Sequence, residues 1–321
     1  MGKIYVRMGG RLGNQLFRYA AARYIQELHR NGEDKDELVL DFSSVYKEGK
    51  AKPNESGFEN SLQYFKTQSY KLESSIVFEP SKGTLLQKSR FLMSEILLRS
   101  IGPNSKIFNQ FNKRNPAAGL YITTGGPEYC AITKTSASNK FVYGRFEDVR
   151  YFDSIRKCLL EEIQPSAPER RENQYLYDIL NSSRDTVCIS IRRGDYVTDE
   201  AVKKTLGVCT KEYFENAVAY MKRVLKEPVF IIFSDDIEWC KDNIDFIGEN
   251  NCYFETGNDP VWEKLRLMYM CKHFIISNST FSWWAQYLSR NENKIVVAPK
   301  RWFNGESGDK YPLLLDSFIK I

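Results

Sequence analysis

Two adjacent arginines follow an apolar segment in the second half of this 321-residue chain. The segment Val187–Ile191 has the composition of a buried strand, and Arg192, Arg193, Gly194 and Asp195 come directly after it. Ligands of open α/β sheets bind at the carboxyl ends of strands, and a guanidinium group matches phosphate oxygens two at a time. We therefore expect an anionic, phosphate-bearing ligand here. An ion pair between arginine and aspartate at the surface is the alternative.

Two further junctions between a predicted strand and a predicted helix carry polar side chains. At Ser277–Ser282, hydroxyl groups and the free amides of a helix start can hold an anion. A Ser or Thr helix cap followed by aromatic core packing explains the same residues. Asp235 and Asp236 also follow a strand, where they can accept hydrogen bonds from a guanine ring, bind a metal or cap the next helix.

A glycine-rich turn, Gly9–Gln15, follows the first predicted strand. It lacks the glycine spacing of dinucleotide-binding loops and of Walker loops. Gly10 and Gly13 still let backbone amides approach a ligand closely. Asn14 and Gln15 add neutral donors and acceptors that suit sugar hydroxyls. A tight turn with a polar helix cap is the alternative.

The chain offers few groups for other kinds of catalysis. Its two histidines, His29 and His273, lie outside any nucleophile motif, and we expect both to be structural. The seven cysteines are scattered, without C-x-x-C or zinc spacing, which is typical of reduced thiols in a cytoplasmic protein. We expect no metal, because arginine-rich loops can neutralise a diphosphate leaving group without Mg²⁺.

Composition excludes some classes of protein. The 46 basic and 41 acidic residues leave a net charge of +5 that is spread along the chain, so nucleic-acid binding is not indicated. This balance is compatible with anionic nucleotides or with the inner face of an anionic membrane. No secretion signal and no apolar run of membrane-spanning length is present in the sequence, so we expect a cytoplasmic location.

The pattern of elements predicts two domains, residues 1–165 and 166–321, because two prolines and several charges interrupt the periodicity near the boundary. Strands alternate with helices in the second domain, which implies a Rossmann-like parallel sheet. The predicted strands are Lys3–Arg7, Leu38–Phe42, one within Phe141–Asp148, Val187–Ile191, Val229–Phe233, Asn251–Glu255, Phe274–Ser277 and Lys294–Ala298. The predicted helices are Leu16–Leu28, Leu85–Ile101, Tyr151–Ile163, Lys211–Lys226, Ile237–Ile247, Pro260–Cys271 and Phe281–Arg290.

Five motifs, taken in order, resemble glycosyltransferase family 11, the galactoside α-1,2-fucosyltransferases, here of bacterial type. They span nearly the whole chain, although none covers residues 49–139. The motifs are Gly10–Phe17, Ile191–Tyr196, Phe233–Asp236, Ser277–Trp284 and Ala298–Trp302.

The resemblance implies an α/β fold of the GT-B type, with two Rossmann-type domains that face each other across a cleft. Residues 1–165 would form the acceptor side, and the C-terminal parallel sheet would bind GDP-β-L-fucose. The implied reaction is inverting and needs neither metal nor cofactor. It moves fucose to the 2-hydroxyl of a terminal galactose in an oligosaccharide or a lipid-linked glycan.

The resemblance also implies roles for single residues. Arg192 matches the arginine that holds the donor phosphates, Asp235 or Asp236 matches an acid that reads guanine, and Asn14 matches an asparagine placed between the domains. The implied catalytic residues are Arg192, Asn14 and Asp195. The implied donor-binding residues are Arg192, Arg193, Asp235, Ser279, Thr280, Phe281, Ser282, Gly10 and Gly13.

One position departs from the family. Many members have His two positions before the first arginine, and this chain has Ser190. The departure removes the most obvious imidazole base and leaves Asp195, Glu147 or Asp148 as carboxylate candidates. A transferase of another linkage or acceptor, and a nucleotide-sugar-binding protein without turnover, remain alternatives.

The predicted helix Leu85–Ile101 carries Leu, Phe and Ile beside Lys88, Arg90 and Arg99. Such a helix can dock on a membrane that presents a lipid-linked acceptor, as a peripheral contact. Packing of the helix on the N-terminal domain is the alternative.

Overall fold

The computed structural model of this protein describes residues 2–53, 55–73, 82–103, 105–124, 128–305 and 308–321, without the side chain of Asp195. The chain divides into two compact units, Met1–Glu162 and Ile163–Ile321. The boundary predicted from the sequence lies between residues 165 and 166. Each unit has its own parallel sheet, which confirms the predicted α/β class.

The N-terminal unit is built on a five-stranded sheet in which every pairing is parallel. The strand order is β3-β2-β1-β5-β4, so β1 lies at the centre and β5 is its neighbour. The loops that leave the carboxyl ends of β1 and β5 therefore start at the same edge of the sheet. The strands are β1 (Lys3–Arg7), β2 (Glu37–Asp41), β3 (Tyr70–Leu72), β4 (Leu120–Ile122) and β5 (Asn139–Tyr143).

Two predicted helices of this unit need correction. The first begins at Leu12, not at Leu16, because Leu12 is buried and helical, so the glycine-rich turn is shorter than expected. The predicted helix Tyr151–Ile163 is α-helical only from Arg156, since Phe152 has a φ of −150° and packs its ring against Phe17. The helices are α1 (Leu12–Leu28), α2 (Ser43–Ala51), α3 (Leu85–Ile101), α4 (Lys106–Asn112) and α5 (Arg156–Glu162).

The C-terminal unit is built on a six-stranded parallel sheet with the order β11-β10-β9-β6-β7-β8. Counted from its first strand, β6, this is the strand order of dinucleotide-binding folds, and the order reverses between β6 and β9. The Rossmann-like topology is therefore confirmed. The strands are β6 (Thr186–Ile191), β7 (Val229–Ser234), β8 (Cys252–Phe254), β9 (His273–Ile276), β10 (Val296–Ala298) and β11 (Ile319–Lys320).

The four helices predicted for this unit are present, whereas α6 to α8 and β11 were not predicted. The five residues of α7 and the two of β11 are too few to show a hydrophobic period, whereas α6 and α8 have seven residues each, as α10 does. Helix α9 packs Phe214, Ala217 and Met221 into the core formed with β6 and β7. The helices are α6 (Gln174–Leu180), α7 (Gly194–Thr198), α8 (Glu200–Leu206), α9 (Lys211–Val224), α10 (Ile237–Asn243), α11 (Val261–Met270) and α12 (Thr280–Leu288). Across the described ranges, none of the helices has the length and apolar composition that a bilayer crossing requires.

A buried ion pair fixes α5 against α1 in the N-terminal unit. Arg23 donates to the Glu162 carboxylate from Nε at 2.9 Å and from Nη2 at 2.7 Å, and the Tyr19 hydroxyl donates to it at 2.5 Å. The side chains of Arg23 and Glu162 are only 3% and 8% exposed. Arg23 Nη2 also lies 2.8 Å from Glu27 Oε1, so two carboxylates neutralise this buried guanidinium.

We expect Glu162→Ala to lower the free energy of unfolding by about 1–3 kcal/mol, because it leaves the Tyr19 hydroxyl and Arg23 Nε buried without their acceptor, although Glu27 still pairs with the Arg23 guanidinium. Chemical denaturation followed by circular dichroism measures the change. Glu161→Ala, at an exposed position of the same helix, serves as the control and should change stability by less than about 0.5 kcal/mol. Equal effects of the two substitutions would contradict the structural role of the pair.

Candidate functional site

The loops after β6 and β9 lie side by side at the carboxyl edge of the C-terminal sheet. Ser190 pairs with Ile276 in the ladder, and the Ser277 amide donates to the Ser190 carbonyl at 3.2 Å. Because the strand order reverses between these two strands, their loops diverge and leave a crevice of the kind in which α/β proteins bind ligands. The predicted arginine motif and the predicted serine-rich loop both start here.

Arg192 and Arg193 are each paired with an aspartate from the loop after β7. Arg192 Nη1 lies 2.6 Å from Asp235 Oδ2, and Arg193 Nε lies 3.1 Å from Asp236 Oδ2. The backbone amide of Arg193 also donates to Asp235 Oδ1 at 2.8 Å. The alternative of an Arg–Asp ion pair is thus present, but the partners are 43 residues away in sequence and lie at the predicted ligand-binding edge.

The arginine side chains are half-buried and held on aromatic rings. Arg192 lies over the ring of Tyr196 at 5.5 Å, and Arg193 lies over Trp239 at 3.7 Å from the ring centroid. Stacking and ion pairing together restrict the guanidinium planes, which preserves their fork geometry for a ligand. The side chain of Asp195 lies outside the described part of the structure.

Gly194 is required by the approach of Asp235 to this turn. A Cβ atom on Gly194 would lie 2.4 Å from Asp235 Oδ2, closer than any side chain permits. Asp236 has a second task, since its Oδ1 accepts a hydrogen bond from the Trp239 amide and caps α10. Capping therefore accounts for one of the two aspartates, as the sequence allowed.

The serine-rich loop divides into an outward part and an inward part. Ser279 precedes α12 and makes no side-chain bond to the helix, so the first amides of α12 have no serine cap. Ser279, Thr280 and Phe281 are half-exposed at this positive helix end. Ser282 is buried instead, and its hydroxyl lies 2.6 Å from the hydroxyl of Ser190. Ser282 therefore links α12 to β6 through a buried hydrogen bond.

Sequence reasoning missed two residues that hold the aspartate loop. Lys264 Nζ lies 2.6 Å from Glu255 Oε1 and donates to the Ser234 carbonyl at 2.9 Å, while the Ser234 amide donates to Glu255 Oε1 at 3.2 Å. Burial raises the pKa of Glu255, and Lys264 opposes this shift. Glu255 is the last residue of the predicted strand Asn251–Glu255, so its place at a carboxyl end is a signal that could have found it. Lys264, on α11, gave no local signal.

The glycine turn of the N-terminal unit depends on Gly10. Its φ of +67° is left-handed, and a Cβ atom there would lie 2.4 Å from Asn14 Nδ2. Asn14 is half-exposed, whereas Gly13 is buried in the first turn of α1. Arg18, which sequence reasoning missed, donates from Nη1 to the carbonyls of Gly9 at 2.7 Å and Asn14 at 3.1 Å.

Gln15 is not available to a sugar, contrary to expectation. Its side chain is fully buried, Nε2 donates to the Gly10 and Glu59 carbonyls at 2.9 and 2.8 Å, and Oε1 accepts from the Ser61 amide at 3.1 Å. The side chain therefore links the glycine turn to the 3₁₀ helix Ser61–Tyr64. Of this pair, only Asn14 has a half-exposed side chain, so a polar contact with a sugar stays a prediction for Asn14.

The carboxylates that follow β5 have different surroundings. Asp148 accepts hydrogen bonds from the Arg150 amide at 3.0 Å and from Arg150 Nε at 2.9 Å, so both of its oxygens are engaged. Glu147 is buried and lies near Arg18, where burial lowers the pKa of the guanidinium to about 10 and Glu147 opposes this shift. Asp148 is therefore paired with Arg150, and Glu147 lies on the buried side near Arg18.

Both histidines are bound to backbone groups. His29 Nδ1 lies 2.8 Å from the Ile25 carbonyl and Nε2 accepts from the Thr135 amide, while His273 Nδ1 accepts from the Ile295 amide at 3.1 Å. Burial lowers the pKa of both rings. Within the described ranges, no three His, Cys, Asp or Glu side chains cluster as metal ligands would.

Comparison with known proteins places these motifs in a family. The sequence model of glycosyl transferase family 11 matches residues 3–312. The chain is 29% identical to the O-antigen biosynthesis glycosyltransferase WbnK of Escherichia coli, over 99% of this chain and 100% of that protein. It is 28% identical to an alpha-1,2-colitosyltransferase of Escherichia coli, over 100% of this chain and 99% of that one.

A more distant relative and a solved structure agree with this placement. Galactoside alpha-(1,2)-fucosyltransferase 1 of Gorilla gorilla gorilla is 32% identical over 53% of this chain and 45% of its own length. The crystal structure of NodZ alpha-1,6-fucosyltransferase soaked with GDP-fucose superimposes with a TM-score of 0.52, covering 90% of this chain and 93% of that chain at 13% identity. The fold is therefore of the GT-B type.

We expect Gly10→Ala to destabilise the protein more than Gly32→Ala. Both glycines have a positive φ, +67° and +62°, but a Cβ on Gly32 meets nothing within 4 Å. Backbone strain alone predicts a loss of about 1–2 kcal/mol for Gly32→Ala. The clash with Asn14 should add about 1–3 kcal/mol for Gly10→Ala. Urea denaturation measures the loss of stability in both variants. Equal losses would show that the contact between Asn14 and a Cβ at position 10 adds nothing to the cost of backbone strain.

Proposed function

This chain belongs to glycosyltransferase family 11, and from that membership we propose that it transfers L-fucose from GDP-β-L-fucose to the 2-hydroxyl of a terminal galactose. The acceptor galactose would belong to an oligosaccharide or a lipid-linked glycan. The reaction would invert the anomeric centre and would need no metal. The observation that carries the proposal is the pair of arginines held at the crevice between β6 and β9.

The donor pyrophosphate would bind to Arg192, Arg193 and the start of α12. A guanidinium has five N–H donors, so Arg192 can keep its bond to Asp235 and still offer a fork to phosphate oxygens. The uncapped amides of α12, with Ser279 and Thr280, would bind the same anion from the other side of the crevice. The free lone pairs of Asp235 suit the N–H groups of a guanine edge.

In the proposed reaction, the acceptor oxygen forms a bond to C1 of fucose while the bond from C1 to the β-phosphate oxygen breaks. Negative charge develops on the leaving diphosphate, where Arg192 stabilises it; a donor in such a position typically contributes about 3–4 kcal/mol at the transition state. The proton of the acceptor hydroxyl passes to a carboxylate. The candidates are Asp195, Glu147 and Asp148, of which Asp148 accepts hydrogen bonds from Arg150. Asn14 would bind a sugar hydroxyl.

A second candidate donor is GDP-colitose. It is favoured by the similarity to an alpha-1,2-colitosyltransferase over the whole chain. Colitose lacks the 3-hydroxyl of fucose, so a site that hydrogen-bonds this hydroxyl rejects colitose strongly, whereas a site that packs against C3 prefers it. We also propose a cytoplasmic location, which the seven cysteines support, since none of them is paired in the described residues.

We expect Arg192→Ala to lower kcat by about 10²–10³-fold, since it removes a charged donor from the leaving group. Arg184→Ala is the matched control, because Arg184 is an exposed arginine at the opposite end of the same strand. Steady-state release of GDP from GDP-fucose with lactose as acceptor measures both. Near-normal turnover of Arg192→Ala, with unchanged thermal stability, would refute the assignment.

We expect the wild-type enzyme to use GDP-fucose faster than GDP-colitose and to give an α-1,2 linkage. The two donors are compared by kcat/KM on one galactose-terminated acceptor, and the linkage is read by NMR. Faster use of GDP-colitose would transfer the proposal to the second donor. A different linkage would indicate a transferase with another acceptor, and donor binding without release of GDP would indicate a binding protein without turnover.

A further inference from the structure

Helix α3 presents its apolar side chains to the outside of the N-terminal unit. Exposure is 83% for Leu85, 61% for Leu92, 44% for Met93 and 48% for Ile96. In the described part of the chain, seven of the twelve exposed large apolar side chains lie within residues 85–107. We call the exposed apolar surface of α3 the outer face; it consists of Leu85, Leu86, Leu92, Met93, Ile96 and Ile101.

The side of the same helix that faces the unit combines buried polar residues with Phe91, whose ring packs against the core around Tyr5 and Phe141. Gln87 is 2% exposed and donates from Nε2 to the carbonyls of Ala118 and Asn139 at 2.9 and 2.8 Å. Ser94 is 1% exposed and accepts from Asn115 Nδ2 at 3.0 Å. A helix on a protein surface normally buries its apolar side and exposes its polar side. On α3 the two buried side chains are polar and most of the exposed ones are apolar, so the outer face is an apolar surface that the described residues leave uncovered.

The segment that contains α3 and the residues after it, up to position 114, is strongly basic, which favours an anionic partner for the outer face. Residues 85–114 contain six basic residues and one acidic residue, a net charge of +5, which equals the net charge of the whole chain. Arg99, Lys106, Lys113 and Arg114 are exposed, and the side chain of Arg99 is 82% exposed. An apolar helix face flanked by basic residues is complementary to an anionic lipid surface, which offers acyl chains beside phosphate groups.

We propose that the outer face of α3 docks the protein on an anionic phospholipid membrane. The apolar side chains would enter the boundary between head groups and acyl chains, and the basic residues would contact the lipid phosphates. A second copy of this chain is a poorer occupant, because a symmetric contact would bring two segments of charge +5 together. Helix α3 cannot cross the bilayer, since its 17 residues include four charged ones.

Co-sedimentation with lipid vesicles tests the proposal. The full chain is mixed with vesicles of equal parts phosphatidylcholine and phosphatidylglycerol, or with vesicles of phosphatidylcholine alone. We expect the protein to pellet with the mixed vesicles and to pellet less at high salt. Leu92→Gln/Ile96→Gln should lower vesicle affinity at least about tenfold, since glutamine keeps the helix but removes the apolar surface. Lys106→Gln/Lys113→Gln should lower it about fivefold for each charge removed.

Val224→Gln is the control, because Val224 is 43% exposed on α9 of the other unit and should leave vesicle binding unchanged. Protein that stays in the supernatant with mixed vesicles, or binding that survives Leu92→Gln/Ile96→Gln, overturns the proposal. Light scattering without lipid detects the other occupant: a dimer that this double variant dissociates would make the outer face a contact between copies. The assay contains no nucleotide sugar, so its result is independent of the proposed transferase activity.

Discussion

Two guanidinium groups on adjacent residues repel each other, and the carboxyl edge of the C-terminal sheet is organised to hold them together. Asp235 and Asp236 each bind one arginine. Both aspartates follow Ser234, whose amide and carbonyl are bound by Glu255 and Lys264. The buried pair of Glu255 and Lys264 thus holds Ser234, and the two aspartates that follow Ser234 hold the arginines. A ligand that enters this crevice meets donors whose directions are already set, so little ordering remains to be done on binding.

The parts of this site that sequence predicts are those fixed by local pattern. A continuous apolar run identifies β6 and β7, and a parallel sheet then brings the residues after them to one edge. The pairing of each arginine with a residue more than 40 positions away was not predictable, because it depends on strand order. Asn14 and Gln15 are similar in sequence, yet only tertiary contacts turn Gln15 inward and leave Asn14 half-exposed.

Helix α3 shows the limit of hydrophobic periodicity. Its bounds were predicted correctly, since Thr84 and Gln87 form a capping box and a glycine ends it. Its orientation was not, because apolar residues usually mark the buried side. Here the interior offers the carbonyls of Ala118 and Asn139, which need a donor, and Gln87 supplies it. The side of the helix that faces the sheet thus satisfies buried backbone groups through Gln87 and packs Phe91 against the core.

The ion pairs at the C-terminal crevice also set the range over which it attracts anions. Arg192 and Arg193 are matched by Asp235 and Asp236, so these four side chains together carry no net charge. From beyond a Debye length, about 8 Å at physiological ionic strength, such a quartet exerts almost no pull. Free phosphate or sulfate in the surrounding solution would gain little by entering. Only a molecule that also fits the crevice by shape and by its own donors and acceptors would stay bound. The four paired side chains therefore discriminate against small inorganic anions.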